Sequence, residues 1–485
     1  MKTKLLFLVV ALLCISNSNS QTPTVTDNTS KVIKLAFYSV NKSDGSNSTP
    51  LSTVIAAYDK LNEDYNPHNI YFKWDKTTVG QINNDTYYNN TDKNKDKDIF
   101  SELEQNSKNG KIVIYLFNRS RNFGLSDGID SGAELLVSGN LITTQTISHE
   151  MGHVLSLYHL FETQFGIEEV NGNSYNRTNT GDKVSDTPAA FYSLDPTVSV
   201  PLLDQSNGGC SWIYEGGNTV IKDPNNDSYD TDASMIMGYA SCADHFTRGQ
   251  ADRMRNALAT SSHLTSVKDT STDVYEIVLG QSQCINAIES ISVVNTFGFE
   301  DFKVTWDTSD NVEIVSTTNN GKNANIKITN SSSNWIKATI SIDLTASNND
   351  PINYPDLATV KVDNIPVLTT PDVSSGEIRV HPQHNDEMPG PPYKNEWTRM
   401  WVYNYSQSYS DWEWNVNYSY LRGNNGTSQI EIKPYTTGYI TVKARRSNAC
   451  GPSAWVSKDF YITENSGSGG GGGNGEGEED DHEKK

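Results

Sequence analysis

Positive charge is scarce in this sequence. Against 59 acidic residues stand 38 lysines and arginines, and the 485-residue chain carries a net charge of −21. It therefore lacks the basic surface needed to neutralise phosphates, which excludes nucleic-acid binding and argues against docking on an anionic membrane. Hydrophobic residues are also few, at 35%. No stretch reaches the roughly 18 consecutive apolar residues of a membrane span. Aromatic residues are not scarce: 24 Tyr and 9 Trp are too many for a chain disordered throughout. Cysteines number five and histidines nine, so their chemistry rests on few positions. The length is too great for one domain.

The first 20 residues read as a secretory signal. Lys2 and Lys4 precede an apolar run from Leu5 to Ile15, and a polar stretch, Ser16 to Ser20, suits cleavage. Leu13 stands before Cys14, where a lipid anchor wants a small residue. The protein is thus expected to be secreted, in a compartment that permits disulfides. Removing the signal leaves Cys210, Cys242, Cys284 and Cys450, with three possible pairings.

Two patterns divide the rest. From 30 to 265, helical and strand signals mix. Lys31 to Val40, Ile70 to Trp74 and Ile112 to Phe117 read as strands. Leu51, Val54, Ile55, Tyr58 and Leu61 recur at helical spacing and predict one buried face. Asn83 to Lys97 reads as a loop, Thr144 to Leu155 as a helix. Thr247 and Gln250 form a capping box before a helix over Arg248 to Leu258. After 275 the period becomes two, as in Ile336/Ala338/Ile340/Ile342 and Ile440/Val442/Ala444. That predicts two all-β immunoglobulin-like sandwich modules, 275–367 and 368–463. The Gly-rich, then acidic, stretch 464–485 cannot form a core and is expected to be disordered.

Three of the nine histidines fall within eleven residues: His149, His153 and His159. On a helix His149 and His153, four apart, present their rings on one face and can share one Zn²⁺. Glu150 then lies beside the metal, placed to take a proton from a zinc-bound water. His159 reaches the same metal only if the helix stops and the chain turns. Three histidine ligands leave a fourth position open, as catalysis requires.

This HExxHxxxxxH stretch resembles the metzincin clan of zinc peptidases, in which a glycine usually occupies the position held here by Ser156. A side chain at that turn costs about 1 kcal/mol if φ is positive. Gly181-Asp182-Lys183-Val184-Ser185-Asp186-Thr187-Pro188 is similar to a segment of the pappalysin branch, which includes cytophagalysin and ulilysin. Ser234 to Tyr239 resembles its Met-turn, with Met235 where an asparagine is usual, and Phe246 to Met254 resembles the segment after that turn. The resemblance covers about residues 30–265. It implies an α+β catalytic domain, a twisted mixed sheet with an active-site helix. It implies Met237 beneath the metal and Tyr239 beside it, where a phenol helps to hold the oxyanion. It implies Ca²⁺ near Asp182 and Asp186, whose hard oxygens suit that ion. It implies a Cys210–Cys242 disulfide, which leaves Cys284 with Cys450.

The expected function is that of a secreted zinc endopeptidase acting on extracellular proteins or peptides. The rival is an adhesin or glycan-binding protein with a vestigial zinc site. Its support is the aromatic set Trp397, Trp401, Tyr403, Tyr405, Tyr409, Trp412 and Trp414. Exposed rings stack on sugars, but alternating aromatics more often fill a sandwich core.

Overall fold

A computed structural model describes residues 29–90, 100, 110–191, 202–205, 209–213, 215–216, 219–220, 222–280, 283–345, 351–380, 391–403, 411–423 and 426–464. The predicted signal, Tyr405, Tyr409 and residues 465–485 lie outside them. β1 (Lys31–Asn41) is the axis of the first sheet. It pairs in parallel with β2 (Ile70–Lys73), β3 (Val79–Asn83) and β4 (Ile112–Phe117). β6 (Glu134–Ser138) continues the parallel set beyond β4, and β5 (Phe123–Ser126) closes that edge antiparallel to β6. β4 and β6 are buried throughout, which accounts for the unbroken apolar run of β4 and for Leu135 to Val137 of β6.

α1 (Leu51–Tyr65) buries Val54, Ala57, Tyr58 and Leu61. The predicted stripe is one residue off at its start: Leu51 is exposed, because it opens the helix beyond the edge of the core. The stretch predicted as a loop from Asn83 instead contains the last residue of β3 and a helical turn, Asp85–Tyr88. Asn84 caps that turn by accepting from the amides of Thr86 and Tyr87. The capping box at Thr247 is present with both halves, and its helix runs over Arg248–Thr260.

From Tyr275 to Leu368 the chain forms antiparallel sheets of four and three strands. Their inward residues include Ile291, Val293, Ala324, Ile326, Ile336, Ala338, Ile340 and Ile342. These join one apolar core that is continuous with the first sheet, from Val32 to Ile365. The change of period near 275 is therefore not a break in the core. The Tyr71 hydroxyl meets that of Tyr275 at 2.8 Å, and His68 Nδ1 meets the Tyr354 hydroxyl at 3.1 Å. Tyr354 also lies under the guanidinium groups of Arg248 and Arg255, 5.3 and 4.7 Å from its ring centre.

Residues 373–462 build a separate core around Ile378, Met400, Trp412, Trp414, Ile432 and Ile440. Trp412 and Trp414 are thus core residues, whereas Trp397 and Tyr403 are exposed. The two β regions are tied by Cys284–Cys450, with Cα atoms 5.4 Å apart.

Tyr354 links the two halves of the larger core. Tyr354→Ala is expected to cost about 3–5 kcal/mol, as for other large buried rings. In urea the unfolding of the first sheet and of residues 275–368 should stay a single transition at lower midpoint.

Candidate metal centre

The histidine helix, Gln145–Val154, begins at Thr144, whose side chain accepts from the Thr146 amide. Gly152 is a poor helix former but fits for a steric reason. A Cβ there would lie 2.5 Å from Met237 Sδ, which is fully buried beneath the helix. The helix ends in a Schellman pair: Ser156 N–H donates to His153 O (2.9 Å) and Leu157 N–H to Gly152 O (2.9 Å). Ser156 holds the left-handed position of that motif, with φ 76°. The predicted stop and turn are both present, with serine doing what glycine does more cheaply.

The turn brings the third ring back. His153 Nε2 lies 3.2 Å from His149 Nε2 and 3.1 Å from His159 Nε2. His149 Nδ1 donates to Ile236 O at 2.7 Å, and His153 Nδ1 donates to Leu157 O at 2.8 Å. These bonds fix the tautomers, so both Nε2 atoms carry lone pairs. Burial, with the neighbouring imidazoles, holds all three rings down to about 3, hence neutral. Acceptors facing one another in a buried site are unfavourable unless a cation lies between them. Two metal–nitrogen bonds of about 2.0–2.1 Å at a tetrahedral angle place nitrogens roughly 3.3 Å apart. The donor set therefore fits zinc, and among the described residues it is the one such group of three.

Glu150 is buried at the floor of a cleft of about 1100 Å³, which Phe123 to Ile129, His149, His153, His159 and Tyr239 help to line. Burial pushes its carboxyl up to about 8, against a hydrogen bond from the Ser126 backbone. A dication on the triad would favour the ionised form. Gly124 of β5 admits this carboxylate, since a Cβ there would lie 2.6 Å from Oε1. The Tyr239 hydroxyl is 3.2 Å from His159 Nε2, and its half-exposed ring faces the cleft. Cys210 and Cys242 are joined, with Cα atoms 5.7 Å apart, across the segment containing Met237.

Asp182 and Asp186 have separate roles. Asp186 accepts from the Thr247 hydroxyl and the Gly249 amide, both at 2.7 Å, at the start of the helix Arg248–Thr260. Asp182 Oδ1 accepts from Val184 N–H (2.9 Å) and the Thr187 hydroxyl (3.0 Å). Its Oδ2 is buried without a hydrogen-bond partner among the described residues, as are both oxygens of Glu168. Sequence reasoning missed Glu168, since a lone acid in a loop carries no periodic signal. Burial raises Asp182 to about 7; burial and the nearby Asp182 raise Glu168 to about 8.

Three neutral imidazoles converging beside a buried carboxylate form a group that fits a metal ion. Residues 132–259, which contain all of it except part of the cleft rim, match the family model described as pregnancy-associated plasma protein-A. That segment is of pappalysin type, a family of zinc metallopeptidases. No curated protein matches the chain. Among solved structures, the fibronectin(III)-like modules of CbhA from Clostridium thermocellum are similar at 15% identity and TM-score 0.22, over 41% of this chain and 100% of that one. The Escherichia coli adhesin FdeC is similar at 9% identity and TM-score 0.21, over 40% and 65%. Invasin, a bacterial integrin-binding protein, is similar at 17% identity and TM-score 0.22, over 40% of each chain.

Glu168 and Asp182 yield a pH test. A carboxyl raised above its unfolded value binds more protons when folded, so its stabilising contribution is complete below about pH 4 and is lost as pH rises through about 7 to 8. In chelator, the melting temperature should fall between about pH 5 and pH 8. Glu168→Gln should flatten that fall in a calorimetric pH series.

Proposed function

We propose that this protein is a secreted zinc endopeptidase of the cytophagalysin and ulilysin branch. The observation that carries the reading is the convergence of the His149, His153 and His159 Nε2 atoms beside the buried Glu150. Zinc on these nitrogens would supply a Lewis acid that polarises a carbonyl and acidifies water. Glu150 accepts the proton of the attacking water on a carboxylate oxygen and delivers it to the departing amine. Tyr239 donates its hydroxyl to the oxygen that gains charge as the carbonyl is attacked. Among the described residues β5 pairs with β6 alone, and it borders the cleft, so an extended peptide can add to its other edge. The cleft suits a polypeptide better than a small molecule.

The two β regions, read as immunoglobulin-like modules, would hold the enzyme on a substrate or a glycan-bearing surface. Support comes from exposed Tyr418, Tyr420, Tyr435, Tyr439 and Tyr461, with Tyr420–Tyr435 and Tyr439–Tyr461 ring centres 5.4 and 5.0 Å apart. Calcium would sit between Glu168 and Asp182. That reading is supported by three buried carboxylate oxygens that have no hydrogen-bond partner among the described residues, on a hard-donor pair whose carboxyls burial raises to about 7 and 8.

Glu150→Gln should retain one zinc per chain by metal analysis and lose about 10²–10⁴ in kcat on a peptide library. Undiminished turnover by that variant would reject the mechanism. Calcium should raise the melting temperature more at about pH 8 than at about pH 5, because binding must displace the carboxyl protons only at low pH. Asp182→Asn should abolish the rise.

A further inference from the structure

Ser156 occupies a left-handed backbone position, φ 76°, that glycine fills without conformational cost. What its side chain contributes is a bond. The buried hydroxyl donates to Asp130 Oδ1. Asp130, itself at φ 61°, lies in the loop 127–132 between β5 and β6. Asp127, Gly128 and Ile129 of that loop line the cleft.

Within the loop, Asp127 N–H donates to Glu134 O (3.0 Å) and the Ser131 hydroxyl to Asp127 O (2.9 Å), folding it on itself. The Ser156 bond reaches across to the turn between His153 and His159, both of which line the cleft. Ser156 is held from the other side as well. Arg253 Nε donates to its carbonyl at 2.6 Å, and Arg253 Nη1 donates to Asp182 O at 3.3 Å. The Arg253 guanidinium lies 4.7 Å from the Tyr158 ring centre, one residue before His159. Residue 156 is thus a junction: its backbone is anchored to the helix Arg248–Thr260, and its side chain is bonded to the rim.

We propose that Ser156 and Asp130 are a positioning pair that fixes the rim loop 127–132 to the turn bearing the third histidine, and so sets the opening of the cleft beside β5. The proposal rests on the endopeptidase reading. Neither residue touches the reacting atoms. Glycine at 156 would keep the turn and lose the rim, so the serine supplies an attachment of the rim that the usual glycine cannot.

A double-mutant cycle on the full zinc-loaded chain tests it. Ser156→Gly and Asp130→Ala should each raise KM about fivefold, the worth of one partly exposed hydrogen bond, with kcat and zinc content within about twofold of wild type. Hydrogen exchange should quicken at 127–132 in both. The double variant should match either single one, because one bond is removed once. Asp130→Asn keeps an acceptor oxygen and should stay within about twofold of wild type. Ser156→Ala loses the hydroxyl but keeps the backbone cost. It should match Ser156→Gly in exchange and melt lower. Multiplying KM effects, or unchanged exchange at 127–132 in both single variants, would overturn the pair. A wild type without peptide turnover would reject the endopeptidase reading, and the exchange cycle alone would then decide the pair.

Discussion

The reversal of the chain at Ser156 is the constraint on which the site depends. Two imidazoles four residues apart on a helix already share a face. A third can join them only if the helix is stopped within one turn and the chain is sent back. The Schellman bonds from Ser156 and Leu157 do this, at the expense of a left-handed non-glycine residue. The same turn presents the Leu157 carbonyl to His153 Nδ1. One backbone event thus ends the helix, fixes a tautomer and delivers His159.

Burial then sets the electrostatics. Three rings, with His153 Nε2 3.2 and 3.1 Å from the Nε2 atoms of His149 and His159, remain neutral because the site penalises charge. Backbone carbonyls occupy Nδ1 of His149 and His153, so their Nε2 atoms turn inward toward His159 Nε2, which also meets the Tyr239 hydroxyl. That is a poor arrangement for a folded core and a good one for a cation. Met237 completes the platform from below. Its sulfur occupies the space that a side chain at residue 152 would need, which makes Gly152 and Met237 one packing unit although 85 residues separate them.

Range and period decide which features were legible in the sequence. The histidine spacing, the helix caps and the strands β1 and β4 are local patterns, and they were legible. Met237 and Tyr239 were legible only through resemblance to a family, since a lone methionine looks like core. Glu168, Gly124 and Asp130 were not legible. Each acts through one long-range contact, to Asp182, Glu150 and Ser156, that no periodicity announces. The step from mixed to alternating patterning near 275 marks a change in secondary structure. It does not mark the limit of the core, because apolar faces of either period can pack together. Tyr71 with Tyr275, and His68 with Tyr354, join residues that the change of pattern would assign to different domains.

That shared core bears on the metal centre. Tyr354, from the first β region, packs against Arg248 and Arg255 on one helix, and Arg255 also donates to the His68 carbonyl at 2.7 Å. Arg253 of the same helix holds the Ser156 carbonyl. The helix is therefore clamped on one side by the β region and bonded on the other to the turn that positions His159. Spatial succession alone does not establish energetic coupling. Here, though, each step is a contact to one helix, made through the buried Tyr354 and Arg255 on one side and the part-buried Arg253 on the other, and loosening the helix would loosen the turn. On this physical argument the first β region is a buttress of the catalytic unit. The second keeps its own core and is tied to the first through Cys284–Cys450.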